Sequence, residues 1–221
     1  IQYAKDPQIA PDNSRIVYVR TKMDIMTDGK ASALWMINAD GKEHQKVTSN
    51  TTNESSPRWS PDGKRIAFVS SADDENGSEI YIYWVDTKQY SSISQLKQTP
   101  KNIQWSPDGN YIGFTMFVED DVLRLVSEPE KPENATWAPA ARITDRLKHE
   151  ADGSGYMEKG FNHLFIISAE GGTPVQVSSK RYNHQGFDWS KDSKKMIFTS
   201  NYSENWEYDY RNSEIYSIAI D

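Results

Sequence analysis

The stretch Arg58-Trp59-Ser60-Pro61-Asp62-Gly63-Lys64-Arg65-Ile66-Ala67-Phe68-Val69-Ser70 constrains this chain more than any other. It reads as strand, tight turn, strand. Pro61 presets φ at the first turn position, Asp62 can bond its own backbone, and Gly63 supplies the positive φ of the hairpin exit. The second strand, 66–69, is apolar at every position instead of at alternate ones, so both of its faces must be covered. The unit recurs. Ile103-Gln104-Trp105-Ser106-Pro107-Asp108-Gly109 leads into Tyr111-Ile112-Gly113-Phe114-Thr115, and Phe187-Asp188-Trp189-Ser190-Lys191-Asp192-Ser193 leads into Met196-Ile197-Phe198-Thr199. Near the start, Ile9-Ala10-Pro11-Asp12-Asn13-Ser14 precedes Ile16-Val17-Tyr18-Val19. Four copies of one supersecondary unit predict a repeat architecture.

Each copy carries further strand signals. Third strands are expected at 34–37, 79–85, 163–167 and 214–218. Fourth strands are expected at 43–48, near 92–96 and at 175–177, with none in the last copy. The turn positions Pro11, Pro61, Pro107 and Lys191 are spaced by 50, 46 and 84 residues. No further Ser-Pro-Asp-Gly turn lies in 117–162, so the third copy carries an insertion of 34 to 38 residues. Within it, the Pro- and Glu-rich segment 127–139 should be an exposed loop, and 151–155 is turn-rich. Antiparallel four-stranded units of this length, apolar on both faces, fit the blades of a β-propeller. The expected class is therefore all-β: one propeller unit over 1–221, with blades at about 7–50, 55–98, 101–178 (including the insertion 117–162) and an incomplete 185–221. Four blades, the last one short, describe an open propeller. A face-to-face β-sandwich is the competing arrangement, and it offers no reason for four near-identical turns.

Composition narrows the functional classes. The chain contains no Cys, which removes disulfides and thiolate metal sites. A net charge of −7 argues against a nucleic-acid partner. No run approaches the ~20 apolar residues of a membrane-spanning helix, so no membrane partner is expected. The chain shows no targeting segment and opens on Ile1, which suggests residues upstream and leaves cytoplasmic, periplasmic and secreted locations open. The four histidines, His44, His149, His163 and His184, lack ligand spacing. The Asp73-Asp74-Glu75-Asn76-Gly77 stretch fails as a calcium loop because the first ligand position falls on Ala72, and the 24–29 stretch fails with Met26 at the third position. No metal or cofactor site is expected. Trp59, Trp105 and Trp189 recur at one position of the unit and are read as core.

The Ser-Pro-Asp-Gly hairpins followed by Ile-x-Phe, together with the Glu-Ile-Tyr third strands, resemble the repeats shared by the translocation protein TolB and the propellers of prolyl-oligopeptidase-family serine peptidases. Three stretches favour the acylaminoacyl-peptidase and dipeptidyl-peptidase branch: Asp6-Pro7-Gln8-Ile9; Ile143-Thr144-Asp145-Arg146-Leu147-Lys148 with Asp152-Gly153-x-Gly155 before His163-Leu164-Phe165; and Asn205-Trp206-Glu207-Tyr208-Asp209 before Asn212-Ser213-Glu214-Ile215-Tyr216. The resemblance implies a partner α/β-hydrolase domain carrying the Ser-Asp-His triad, and a peptide substrate. This chain has no Gly-x-Ser-x-Gly elbow, so no catalytic residue is assigned and the chain alone is expected not to be an enzyme.

Two functions follow as expectations. The first is the non-catalytic propeller portion of a serine exopeptidase or oligopeptidase, gating access and holding the peptide terminus. The second is a TolB-like protein-binding scaffold without enzymatic activity. The loops joining second to third strands, 20–32, 71–78, 116–162 and 201–213, are acidic taken together, a pattern suited to a cationic peptide amino terminus. Aromatic interleaving makes Glu204, Trp206, Glu207 and Asp209 the candidates for terminus binding. An open propeller also exposes the outer faces of its first and last blades. Self-association through them is expected.

Overall fold

In the computed structural model, residues 1–26, 28–48, 53–73, 77–120, 129–138 and 143–220 are described. Those residues form strands and loops with no helix. The first sheet runs β1 (Gln2–Ile9), β2 (Arg15–Asp24), β3 (Gly29–Asn38) and β4 (Gln45–Lys46); the second runs β5 (Glu54–Trp59), β6 (Arg65–Asp73), β7 (Gly77–Trp84) and β8 (Gln89–Ser92). The third takes β9 (Lys101–Trp105) and β10 (Tyr111–Glu119). A small hairpin follows, β11 (Glu150–Ala151) and β12 (Gly155–Tyr156), before the third sheet is completed by β13 (Gly160–Ser168) and β14 (Val175–Gln176). The fourth sheet is three-stranded: β15 (His184–Trp189), β16 (Lys195–Ser200) and β17 (Glu214–Ala219). Every pairing is antiparallel.

The first strands β1, β5, β9 and β15 touch one another in that order, so they form the inner edge of a radial array. No substantive contact joins the fourth sheet to the first among the described residues. The architecture is an open β-propeller of four blades.

The turns between first and second strands share one wiring. In the second blade, Gly63 N donates to Ser60 O at 2.9 Å, Ser60 Oγ donates to Asp62 Oδ1 at 2.6 Å, and Arg65 N donates to Ser60 Oγ at 2.9 Å. Ser106 with Asp108 and Ser190 with Asp192 repeat these bonds. The positive φ falls on Asn13, Gly63, Gly109 and Ser193. The Ser-Pro-Asp-Gly reading therefore holds, including for the variant copies, because a left-handed Asn or Ser substitutes for Gly there. Asp108 N donates to Ser193 Oγ in the next blade at 3.0 Å, which links neighbouring turns.

Three apolar clusters fill the three seams between blades. Val17, Val19, Leu34 and Met36 meet Ile66, Phe68, Tyr83 and Val85. Ala67, Val69, Ile80 and Ile82 meet Ile112, Phe114, Phe165 and Ile167. Leu164 and Ile166 meet Phe187, Trp189, Met196 and Phe198. The uninterrupted apolar run in β6 follows from this: Ile66, Ala67, Phe68 and Val69 are all buried, because both faces of the second blade are covered. In β16 the pattern alternates, with Met196 and Phe198 buried and Ile197 exposed. The outer face of the fourth blade thus presents Ile197 and Ile215 to solvent.

The tryptophans are seam residues, as expected. Trp59 Nε1 donates to Gln8 O at 3.1 Å and Trp105 Nε1 donates to Arg58 O at 2.9 Å, each reaching the first strand of the preceding blade. One position on the second strand sets how closely the next blade approaches. It is Val17, Ala67 and Gly113 in blades one to three, and Gly113 lies against Phe187 in the first strand of blade four. A Cβ on Gly113 would lie 2.9 Å from Phe187 Cε2 and 3.0 Å from both Met196 Cε and Trp189 Cζ2. Glycine at 113 is thus required by space.

Two repeated features lie outside the sequence reading. Each first strand bulges at a left-handed residue three before the end aromatic or its equivalent: Asp6, Ser56, Asn102 and Gly186. Each complete fourth strand is short, and a hydroxyl-bearing residue follows its last ladder bond. Val47 N, Ile93 N and Val177 N donate to Leu34 O, Ile80 O and Leu164 O, and the next residues are Thr48, Ser94 and Ser178. Ser94 Oγ accepts from Ile80 N, and Leu96 N donates to Glu79 Oε1 instead of a ladder carbonyl. The fourth strand of the second blade accordingly lies at Gln89–Ser92, earlier than the 92–96 expected.

Candidate functional site

The insertion in the third blade builds a cleft of about 1140 Å³. Its walls come from the end of β10, from 143–149 and 156–160 of the insertion, from the connections into β9 and β15, and from the loop 201–213. The described part of the Pro- and Glu-rich segment, 129–138, lies exposed as expected. The turn-rich stretch at 151–155 is the turn of the β11–β12 hairpin, closed by Ser154 N to Ala151 O at 3.1 Å and Met157 N to His149 O at 2.8 Å. The acidic stretch around 73–77 lies largely outside the described residues.

Arg146 is the structural centre of the cleft. Its guanidinium lies over the Phe161 ring at 4.4 Å from the centroid and 5.9 Å from that of Trp206, with those two rings edge to face at 6.0 Å. Arg146 Nη1 donates to Gly160 O at 3.0 Å, and Nη2 lies 3.5 Å from Asp120 Oδ2. Asp120 also takes Arg181. Lys159 pairs with Asp145 at 2.7 Å, and its hydrogen bond holds the Asp145 carboxyl below the usual carboxylate range. The insertion is therefore tied down at its base by ion pairs and a stacked arginine.

Of the four terminus-binding candidates, the structure brings one to the cleft. Trp206 lines it. Glu204 and Asp209 are exposed on the same loop and outside the lining. Glu207 is half-buried, and its Oε1 is enclosed without a hydrogen-bond partner. The loop is folded by Trp206 N to Ser203 O at 3.1 Å, Tyr208 N to Asn205 O at 2.9 Å, and Asn201 Nδ2 to Asp209 O at 2.7 Å. Sequence reasoning missed Asp120, Arg146, Lys101 and Lys148, which share the cleft. They are far apart in sequence and only the return of β13 beside β10 unites them. The acidic reading of this face also needs refinement, because bases and acids are balanced in the cleft wall.

The histidines divide. His44 and His149 are exposed, whereas His163 and His184 are buried at the seam of blades three and four with ring centroids 5.2 Å apart. Tyr202 OH lies 3.0 Å from His184 Nε2, and Ser178 Oγ lies 3.3 Å from His163 Nδ1. Burial, with the neighbouring His184 second, lowers the His163 pKa to about 4. No group of three or more metal-ligating side chains occurs among the described residues, and no helix long and apolar enough to cross a membrane occurs among them.

The model of the TolB beta-propeller domain family matches residues 5–143. This chain belongs to that family. A Bacillus subtilis protein named uncharacterized peptidase YuxL is 26% identical over 199 residues, covering 90% of this chain and 30% of its own length. Dipeptidyl-peptidase 5 of Porphyromonas gingivalis is 37% identical over 70 residues, covering 32% of this chain and 10% of its own. The structure of Pyrococcus horikoshii acylaminoacyl peptidase superposes with a TM-score of 0.71 at 16% identity, over 98% of this chain and 31% of that one. At that identity the likeness speaks for the fold. The chain spans about a third or less of the length of these peptidases.

Proposed function

We propose that this TolB-family propeller is the non-catalytic part of a serine exopeptidase or oligopeptidase, where it gates access to an α/β-hydrolase domain and holds the peptide terminus. The observation that carries the reading is Trp206 in the wall of the insertion cleft, on the loop that also bears Glu204, Glu207 and Asp209. An aromatic wall beside carboxylates is chemistry suited to a peptide amino terminus and its first side chain. An enclosed carboxylate oxygen without a partner, as at Glu207, is costly to maintain and is the kind of feature that function retains. Relatives named as peptidases support the same reading. The TolB-like scaffold is the rival, and it predicts no hydrolase sequence beyond the propeller.

The test uses the full-length protein with peptides carrying a free or an acetylated amino terminus. Substituting Glu204→Gln, Glu207→Gln and Asp209→Asn together should raise KM for the free amine about tenfold, leave kcat unchanged, and spare the acetylated peptide, the pattern of lost uniform binding. Equal effects on both peptides would reject terminus recognition by this loop. Hydrolysis should be abolished by a serine-reactive phosphonate acting outside residues 1–221.

A further inference from the structure

Two of the four acids in the cleft wall are held in ion pairs, as are two of its four bases, and the two remaining bases are exposed amines. Gln98 Nε2 donates to Glu119 Oε1 at 3.3 Å, Asp120 holds Arg146 and Arg181, and Asp145 holds Lys159. Glu158 is the remaining acid in the lining. Lys101 and Lys148 also line the cleft, and neither has a carboxylate within ion-pair distance among the described residues. Counting Arg181 at its Asp120 end, bases exceed acids by one around the cleft, in a chain whose net charge is −7.

Arg146 supplies the directional element. Two of its contacts are made within the protein, to Gly160 O and Asp120, and a guanidinium has five N–H donors in a fixed plane. Its side chain keeps 19% exposure and lines the cleft. The ring of Phe161 fixes its orientation, so little side-chain freedom remains to be lost when a ligand binds. Phe117, Tyr156, Met157 and Trp206 add apolar wall, which strengthens a charge-assisted hydrogen bond by excluding water. The volume of about 1140 Å³ exceeds that of most small-molecule sites and suits a peptide segment.

We infer that the cleft is a carboxylate-binding subsite for peptides, with Arg146 as the fork and Lys101 and Lys148 as the flanking charges. The inference rests on the peptide-holding function proposed above and assigns that function a chemical preference which the acidic loops alone do not suggest. The carboxylate has two possible sources, an Asp or Glu side chain or a free carboxyl terminus.

The full-length protein, first inactivated with a serine-reactive phosphonate, is titrated calorimetrically at low salt with three peptides. They are acetyl-Ala-Phe-Glu-Ala-amide, acetyl-Ala-Phe-Gln-Ala-amide, and acetyl-Ala-Phe-Gln-Ala with a free carboxyl terminus. At least one acidic peptide should bind ten or more times tighter than the neutral amide, and which one does identifies the source. Lys101→Glu with Lys148→Glu, both at exposed positions and remote from any core, should erase the preference while leaving the neutral peptide unchanged. Arg146→Lys should weaken the acidic peptide at least threefold, and its fold is checked by circular dichroism. Equal affinity for all three peptides, or a preference that survives the double lysine change, overturns the carboxylate assignment alone. Failure of every peptide to bind overturns the peptide-holding function and this inference with it.

Discussion

Gly113→Ala is the most direct probe of how the blades are packed. The backbone of Gly113 lies outside the left-handed region, so the substitution meets no conformational penalty. On entropy alone, replacing Gly in a strand interior should stabilise by roughly 0.5–1 kcal/mol. The new Cβ, however, would lie 2.9–3.0 Å from Phe187, Met196 and Trp189, where carbon atoms prefer about 3.5–4.0 Å. All three neighbours are buried, at 4%, 0% and 7% exposure, so each must yield about half an ångström or more into filled space. Overpacking of this kind costs about 1–3 kcal/mol. The net is a loss of roughly 0–2.5 kcal/mol, or up to about 10 °C in melting temperature for a chain of this size. Urea denaturation followed by tryptophan fluorescence measures it, with Trp189 reporting from the seam. Phe187→Leu removes the nearest ring atom, so the double variant should be more stable than additivity allows, by about 0.5–2 kcal/mol. A stabilised Gly113→Ala, or strict additivity with Phe187→Leu, would refute the spatial argument.

Glu54 and the paired histidines make predictions of opposite sign in pH. Glu54 is 1% exposed and accepts from Leu34 N at 2.8 Å and from Thr48 Oγ1 across the seam of blades one and two. Glu54→Ala should cost about 2–4 kcal/mol by stranding two buried donors, whereas Glu54→Gln keeps an acceptor and should cost less than about 1 kcal/mol. Burial raises the Glu54 pKa above 4.5, so its contribution is full below that value and is lost as pH rises through the folded pKa. Urea midpoints of wild type should therefore fall relative to Glu54→Gln between pH 4 and 8, and parallel curves would contradict this. His163 and His184 have lowered pKa values, with burial the largest cause in both, and Lys180 adds its charge at His184. Their contribution is present above pH 6.5 and is lost as pH falls, for His163 through about 4. Native-state hydrogen exchange should show β15 and β16 opening first in acid, with His163→Gln flattening the response; uniform opening of all blades would count against it.

Much of the fold was legible because its signals are local and repeated. Pro61, Asp62 and Gly63 specify their turn within a few residues, and the unbroken 66–69 run announces a strand covered on both sides. The bulges at Asp6, Ser56, Asn102 and Gly186 were not legible, since one left-handed residue in a strand is marked only by its small or amide-bearing side chain. The fourth strand of the second blade was misplaced because Ser94 accepts from Ile80 N and Glu79 from Leu96 N, side-chain bonds in place of ladder bonds that hydrophobic pattern does not encode. The candidate site was legible at Trp206 alone. Arg146, Asp120 and Arg181 meet through the pairing of β10 with β13 and the packing of blade four on blade three, contacts that no local pattern reports.

The stepwise change from Val17 to Ala67 to Gly113, with Phe187 packed against the glycine, bears on how such a chain avoids misassembly. Four similar hairpins are formally exchangeable, and repeat proteins characteristically fail by docking the wrong neighbours. Here a first blade docked on the fourth would drive Val17 into the space that Gly113 leaves for Phe187. That wrong order is penalised by a collision. The blades are alike enough to fold by one rule, and at the third seam a single small residue already distinguishes the right neighbour from a bulkier one.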